Sequence, residues 1–158
     1  MSTAIQSSEF TKSMLILMTE AFQSVTGHFL DPGTSLLETL AGINAAEASI
    51  PVGGRCATLA AQVTHVNFSL EVTERYLLTG QYQQYDWGEI WRTVHGVSPE
   101  EWAALQTRLR ETYQHLYALI EGYDQWEAEN RVLEAIDMLV HAVYHLGEIR
   151  QATCTLKK

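Results

Sequence analysis

The stretch Ala57-Thr58-Leu59-Ala60-Ala61-Gln62-Val63-Thr64-His65-Val66-Asn67-Phe68-Ser69-Leu70-Glu71-Val72-Thr73-Glu74-Arg75-Tyr76-Leu77-Leu78-Thr79-Gly80 decides the fold class. Leu59, Val63, Val66, Leu70 and Leu77 recur at three- and four-residue steps and centre one apolar helix face, which Ala61, Phe68 and Val72 widen. Thr64, Asn67, Glu71, Glu74 and Arg75 fill one polar arc of roughly 100°. Gly80 stands where a C-terminal cap belongs. This spacing predicts one long helix over residues 57–79, with His65 inside its wide apolar sector.

The same period runs outward in both directions. Upstream, Phe10, Met14, Leu17, Met18, Phe22 and Val25 form one stripe, ended by Gly27 and the turn signal Asp31-Pro32-Gly33. Two short helical pieces follow, Ser35 to Ala41 and a second from Asn44, with Glu47 completing a capping box. Downstream, Gln81 to Val97 is irregular and aromatic, with one short capped turn expected at Asp86 and Glu89. Ser98-Pro99-Glu100-Glu101 is the clearest helix start: a cap, proline at the first position, an acid at the third. Trp102, Leu105, Leu109, Leu116 and Ile120 mark its core face up to Gly122. A last helix is expected from Arg131 to Thr155, with Lys157 and Lys158 beyond its C-terminal end suiting the helix dipole. No segment alternates as a strand does. Four long helices predict an all-α single domain over residues 1–158, a four-helix bundle. The link between its first two long helices, roughly 30 residues, is long enough for a crossover.

Composition excludes several function classes. The chain has 158 residues, with 10 Lys+Arg against 19 Asp+Glu, a formal charge of −9. That balance argues against nucleic acid, which needs clustered basic residues. No basic amphipathic stretch favours a membrane surface. The apolar run Met14 to Met18 is far short of the roughly 20 residues that span a bilayer, and no cleavage site follows it. A cytoplasmic location is expected. Cys56 and Cys154 read as reduced thiols, small apolar residues with nothing nearby in sequence to activate them.

Six histidines remain: His28, His65, His95, His115, His141 and His145. His141 and His145, four apart, share a helix face and can reach one ion, but two ligands rarely make a tight site. Helical-wheel arithmetic supplies His65 as the third, because a buried imidazole in an apolar sector needs a metal or a hydrogen-bond acceptor. Both readings stay open on the residues alone. His141 and His145 lie on the strip of Glu134 and Glu148, so Glu148 either orients an imidazole or faces solvent. His115 points with Arg108 and Glu111 toward solvent and is set aside. The aromatic residues around Trp87 and Trp91 either line a pocket or pack as core. Ala142 after His141 excludes a His-Glu-x-x-His zinc motif. Gln62, Met138 and Ala142, each three residues before a histidine, exclude a paired Glu-x-x-His di-iron site. Gly53-Gly54 lacks the ending of a phosphate-binding loop.

Thr58-Leu59-Ala60-Ala61-Gln62-Val63-Thr64-His65-Val66, with His141-Ala-Val-Tyr-His145-Leu-Gly147-Glu148-Ile149-Arg150-Gln151 in the last helix, resembles the DinB-like superfamily of damage-inducible, YfiT-like proteins. Leu36-Leu37-Glu38-Thr39-Leu40 and the Asp86-Trp87 region carry further likeness, and the resemblance spans residues 10–154. It implies a four-helix bundle with a long crossover, often dimeric, that holds one divalent ion through His65, His141 and His145. Zinc and nickel are the first expectations among ions that imidazole suits. Family members with known activity use a low-molecular-weight thiol such as bacillithiol or mycothiol. The resemblance therefore implies a thiol-dependent transferase, or a related hydrolase, acting on a small molecule. A binding protein without turnover, and a helical interaction module without metal, are the alternatives. Three protein ligands leave a coordination position open, where a water or thiol would lose its proton more readily.

Overall fold

Capping chemistry sets the helix starts. In the computed structural model, which describes residues 5–126 and 131–157, seven α-helices form and no strand is present among the described residues. They are α1 (Ser7–Met18), α2 (Leu36–Ala41), α3 (Ala45–Ala48), α4 (Leu59–Thr79), α5 (Glu89–Thr93), α6 (Pro99–Glu121) and α7 (Arg131–Leu156). Ser35 with Glu38, Asn44 with Glu47 and Ser98 with Glu101 close reciprocal capping boxes on α2, α3 and α6. Thr58 accepts from the Ala61 amide to cap α4. Gly80 ends α4 at φ 68°, a left-handed conformation that side-chain-bearing residues rarely adopt. At α5 Asp86 is no N-cap: its carboxylate accepts from the Gly88 amide and pairs with Arg92 at 2.5 Å.

The four long helices build the core. α4 packs along both α6 and α7, and α1 meets the same two helices. Met14, Met18 and Phe22 from the α1 segment are buried in the same core as Leu59, Val63, Val66 and Leu70 of α4. Leu109, Leu116 and Ile120 of α6 and Met138, Leu146 and Ile149 of α7 complete the interior. Two tryptophans tie loops to it: the Trp102 indole donates to the Ile43 carbonyl at 2.7 Å, and that of Trp126 to the Thr11 hydroxyl at 2.8 Å. Across α4 and α6, Arg108 holds Glu71 with two parallel bonds of 2.5 and 2.6 Å. None of the described helices is long and apolar enough to cross a membrane.

The first helix departs from its predicted course. Beyond Met18 it widens into a π-helical turn, Thr19–Gln23, and Ser24 is fully extended. Glu20, with no exposed surface, sits in that turn. Its carboxylate accepts from the Thr26 hydroxyl and from the amides of Thr26, His28, Phe29 and Leu30, at 2.6–3.3 Å. The chain folds back around this one side chain. Burial alone would raise its pKa. The bonds from Thr26, Phe29, His28 and Leu30 outweigh that and hold the carboxyl well below its usual range.

Lys157 does more than complement a dipole: its ammonium donates to the Gly42 carbonyl at the end of α2. Lys158 lies outside the described residues. Cys56 and Cys154 are free thiols, as read from the sequence, and both are exposed.

Candidate metal centre

His65 is placed by α4, in the sector that faces α7, and is 6% exposed. His141 and His145 lie one turn apart on α7, His145 being 5% exposed. One potential ligand atom from each imidazole falls within 4.8 Å of the other two. The ring centroids are 4.6–5.1 Å apart. The three residues singled out in the sequence are therefore brought together. His115 is not among them: it stands on α6, mostly exposed, 3.6 Å from Glu74.

The hydrogen bonds show which lone pairs are free. Nδ1 of His145 lies 2.8 Å from Gln62 Oε1 and 2.9 Å from Glu148 Oε2. Both are oxygen acceptors, so Nδ1 carries the proton, and in the neutral ring Nε2 keeps its lone pair. Glu148 thus takes the orienting role of the two open to it. Gln62 shares that role, and no sequence signal named it, because it stands 83 positions from its partner. The residue whose identity excludes a di-iron motif binds a histidine by another route.

His65 and His141 bring their Nε2 atoms to 3.1 Å. Two nitrogens each about 2.0–2.1 Å from one ion lie roughly 3.0–3.4 Å apart, so this pair already has ligand spacing. The widest separation, up to 4.8 Å, exceeds it, and at least one imidazole must move inward on binding. Nδ1 of His65 is buried and finds no partner among the described residues. The cluster does not satisfy itself, since an orphaned buried nitrogen is costly in either tautomer.

Electrostatics keep all three rings neutral, the state a metal requires. Burial is the main cause at His65, followed by the proximity of His145 and His141, and its pKa is pushed down to about 4 despite Glu148. Burial also lowers His141, opposed by Asp137 and Glu148. At His145 burial and then His141 lower the pKa, again against Glu148.

The aromatic segment forms one wall. Trp91 on α5 lies 4.6 Å from the His65 ring and Trp87 lies 6.1 Å from it, centroid to centroid. Phe68 and Tyr85 brace Trp87 at 5.3 and 5.9 Å. These rings neither pack in the deep core nor float free; they cover the imidazoles. A donor set of three neutral imidazoles, with the Nε2 atoms of His65 and His141 3.1 Å apart and the His145 tautomer fixed, fits a borderline divalent ion. No model of a known protein family matches the chain, and no curated protein or solved structure does either.

Proposed function

We propose that this chain holds one divalent ion, zinc or nickel, through His65, His141 and His145, and uses it in thiol-dependent S-transfer or a related hydrolysis on a small molecule. The observation that carries the reading is the convergence of three neutral imidazoles from α4 and α7 within 4.8 Å. A bound divalent ion would supply positive charge that lowers the pKa of a water or thiol beside it.

The protein's own residues do the positioning. Gln62 and Glu148 fix the His145 ring and its tautomer from two sides. Trp91 and Trp87 restrict water around His65, so charges there interact more strongly than in bulk solvent. In this proposal α1, α4, α6 and α7 are the four helices of a DinB-like bundle. The segment between α1 and α4, with α2 and α3, is its crossover.

A second reading has one observation in its favour. The 3.1 Å contact of His141 with His65 is also a good hydrogen bond between two neutral rings, as in a metal-free helical module. Elemental analysis after metal saturation and desalting separates the two. Thiol consumption with a panel of electrophiles, comparing metal-loaded, chelated and His145→Ala protein, then separates an enzyme from a binder. Metal-dependent turnover supports the proposal, and equal rates in all three samples contradict it.

A further inference from the structure

Thr64, Asn67, Phe68 and Glu71 share one face of α4, about 110° round the helix from His65. That face walls a cavity of about 180 Å³ between α4, α5 and α6. Ile90 of α5 and Leu105 of α6 give it apolar sides. The space exceeds the roughly 10–15 Å³ that one water needs and falls short of the roughly 300 Å³ at which drug-sized sites begin. Its size suits a small molecule.

Asn67 gives the cavity its polarity. It is 2% exposed; its Nδ2 donates to Glu71 Oε1 at 3.1 Å, and its buried Oδ1 has no partner among the described residues. A carboxylate only accepts, so the amide cannot be turned over, and Oδ1 is fixed as the unmet atom. Both amide atoms sit at the end of the side chain that meets Glu71, which lines the same cavity. Asparagine is a poor helix former, and a buried acceptor without a donor is costly. A leucine at this position would carry neither penalty. Beside it the Thr64 hydroxyl donates to the Ala60 carbonyl at 2.7 Å and keeps its lone pairs. The α4 wall therefore asks for N–H or O–H donors.

Charge decides the sign. Arg108 is paired with Glu71 at 2.5 and 2.6 Å, and Arg92 with Asp86 at 2.5 Å. Those two pairs cancel. The Glu89 carboxylate, also at the cavity, has no hydrogen bond or ion pair among the described residues. One uncompensated negative charge matches a monocation, and the Phe68 ring adds a π face that suits one.

We propose that this cavity binds a small primary alkylammonium. Its N–H groups donate to Asn67 Oδ1 and Thr64 Oγ1, its charge is balanced by Glu89, and its short chain lies among Phe68, Ile90 and Leu105. Phe68 touches Trp87, which stands against His65, so the cavity neighbours the imidazoles without including one. The proposal holds whether or not they bind an ion.

Titration of propylammonium into the chelated, isotope-labelled full chain at low ionic strength tests it, the chelator keeping the amine off any ion at the imidazoles. Amide resonances of residues 64–71 and 89–90 should shift and saturate. Tetramethylammonium, a cation without N–H donors, and propanol, a donor without charge, should each bind at least about 10-fold more weakly. Asn67→Leu should cost at least about 10-fold in propylammonium affinity. Thr64→Val, nearly the same shape, and Glu89→Gln should each cost about 3-fold, while Glu100→Gln at the start of α6 should match the wild type. If Asn67→Leu fails to fold by circular dichroism, the other two variants decide. Shifts that never saturate, equal responses to the three probes, or Thr64→Val and Glu89→Gln proteins that bind as well as wild type overturn the proposal. So does a crystal soaked in propylammonium that shows only an ordered water on Asn67 Oδ1.

Discussion

Glu20 and His65 are both ionisable, both buried, and opposite in how their needs are met. The Glu20 carboxylate takes hydrogen bonds from four backbone amides and a hydroxyl, so nothing further can be added to it. His65 keeps one nitrogen with no partner and shares the other with His141. A saturated group is an anchor, because every donor it holds is spent on the fold. A cluster of neutral imidazoles with lone pairs within 4.8 Å of one another keeps coordination capacity, and that convergence marks a candidate site. The contrast also predicts where substitutions fall: the anchor controls stability, the cluster controls binding.

The largest effect on stability belongs to the anchor. Glu20→Ala leaves the amides of Thr26, His28, Phe29 and Leu30 without their acceptor and should lower Tm more than any substitution in the histidine cluster. Metal stoichiometry of the folded fraction should not change. Thermal melts and elemental analysis on the same sample check both halves, and loss of metal with unchanged Tm would reverse the comparison.

Next come the residues that orient His145. Gln62→Ala and Glu148→Gln should each weaken metal affinity by roughly 10- to 100-fold with small changes in Tm. Competition titration against a chelating dye reads this directly. Additive losses from the double variant would show that the two acceptors act independently on Nδ1.

The pH dependence of stability in chelated protein separates the regions again. His65 has its pKa lowered from 6.5 to about 4, so the unfolded chain binds protons that the folded chain refuses. Stability should be full above about pH 6.5 and fall as pH drops toward 4, with His141 and His145 adding in the same direction. Glu20, held below its ordinary 4.5, contributes stability that is lost only as pH falls below that value. Urea titrations across pH should show the upper limb flattened by His65→Leu and the lower one by Glu20→Gln.

The smallest expected effect is on the metal-free fold. His65→Leu removes an orphaned polar atom from an apolar sector, and chelated variant and wild type should differ by only about 1 kcal/mol. Added metal should then raise the Tm of the wild type and not of the variant.

Features fixed within a few residues were legible in the sequence. Ser98 with Glu101, Asn44 with Glu47 and the Gly80 cap needed only local spacing. So did the shared face of His141 and His145, and the inward placement of His65 followed from the α4 wheel. What escaped was set by distant or featureless partners. Glu20 is satisfied by backbone amides, which have no side-chain signature, and its π turn broke an otherwise regular stripe. Gln62 meets His145 only because α4 lies against α7.

The most direct test is the metal content of purified protein, saturated with zinc or nickel and then desalted. Wild type and His115→Ala should retain one ion per chain. His65→Ala, His141→Ala and His145→Ala, still folded by circular dichroism, should retain almost none. A wild type with no retained ion, or three histidine variants that bind as well as it does, would contradict the metal centre.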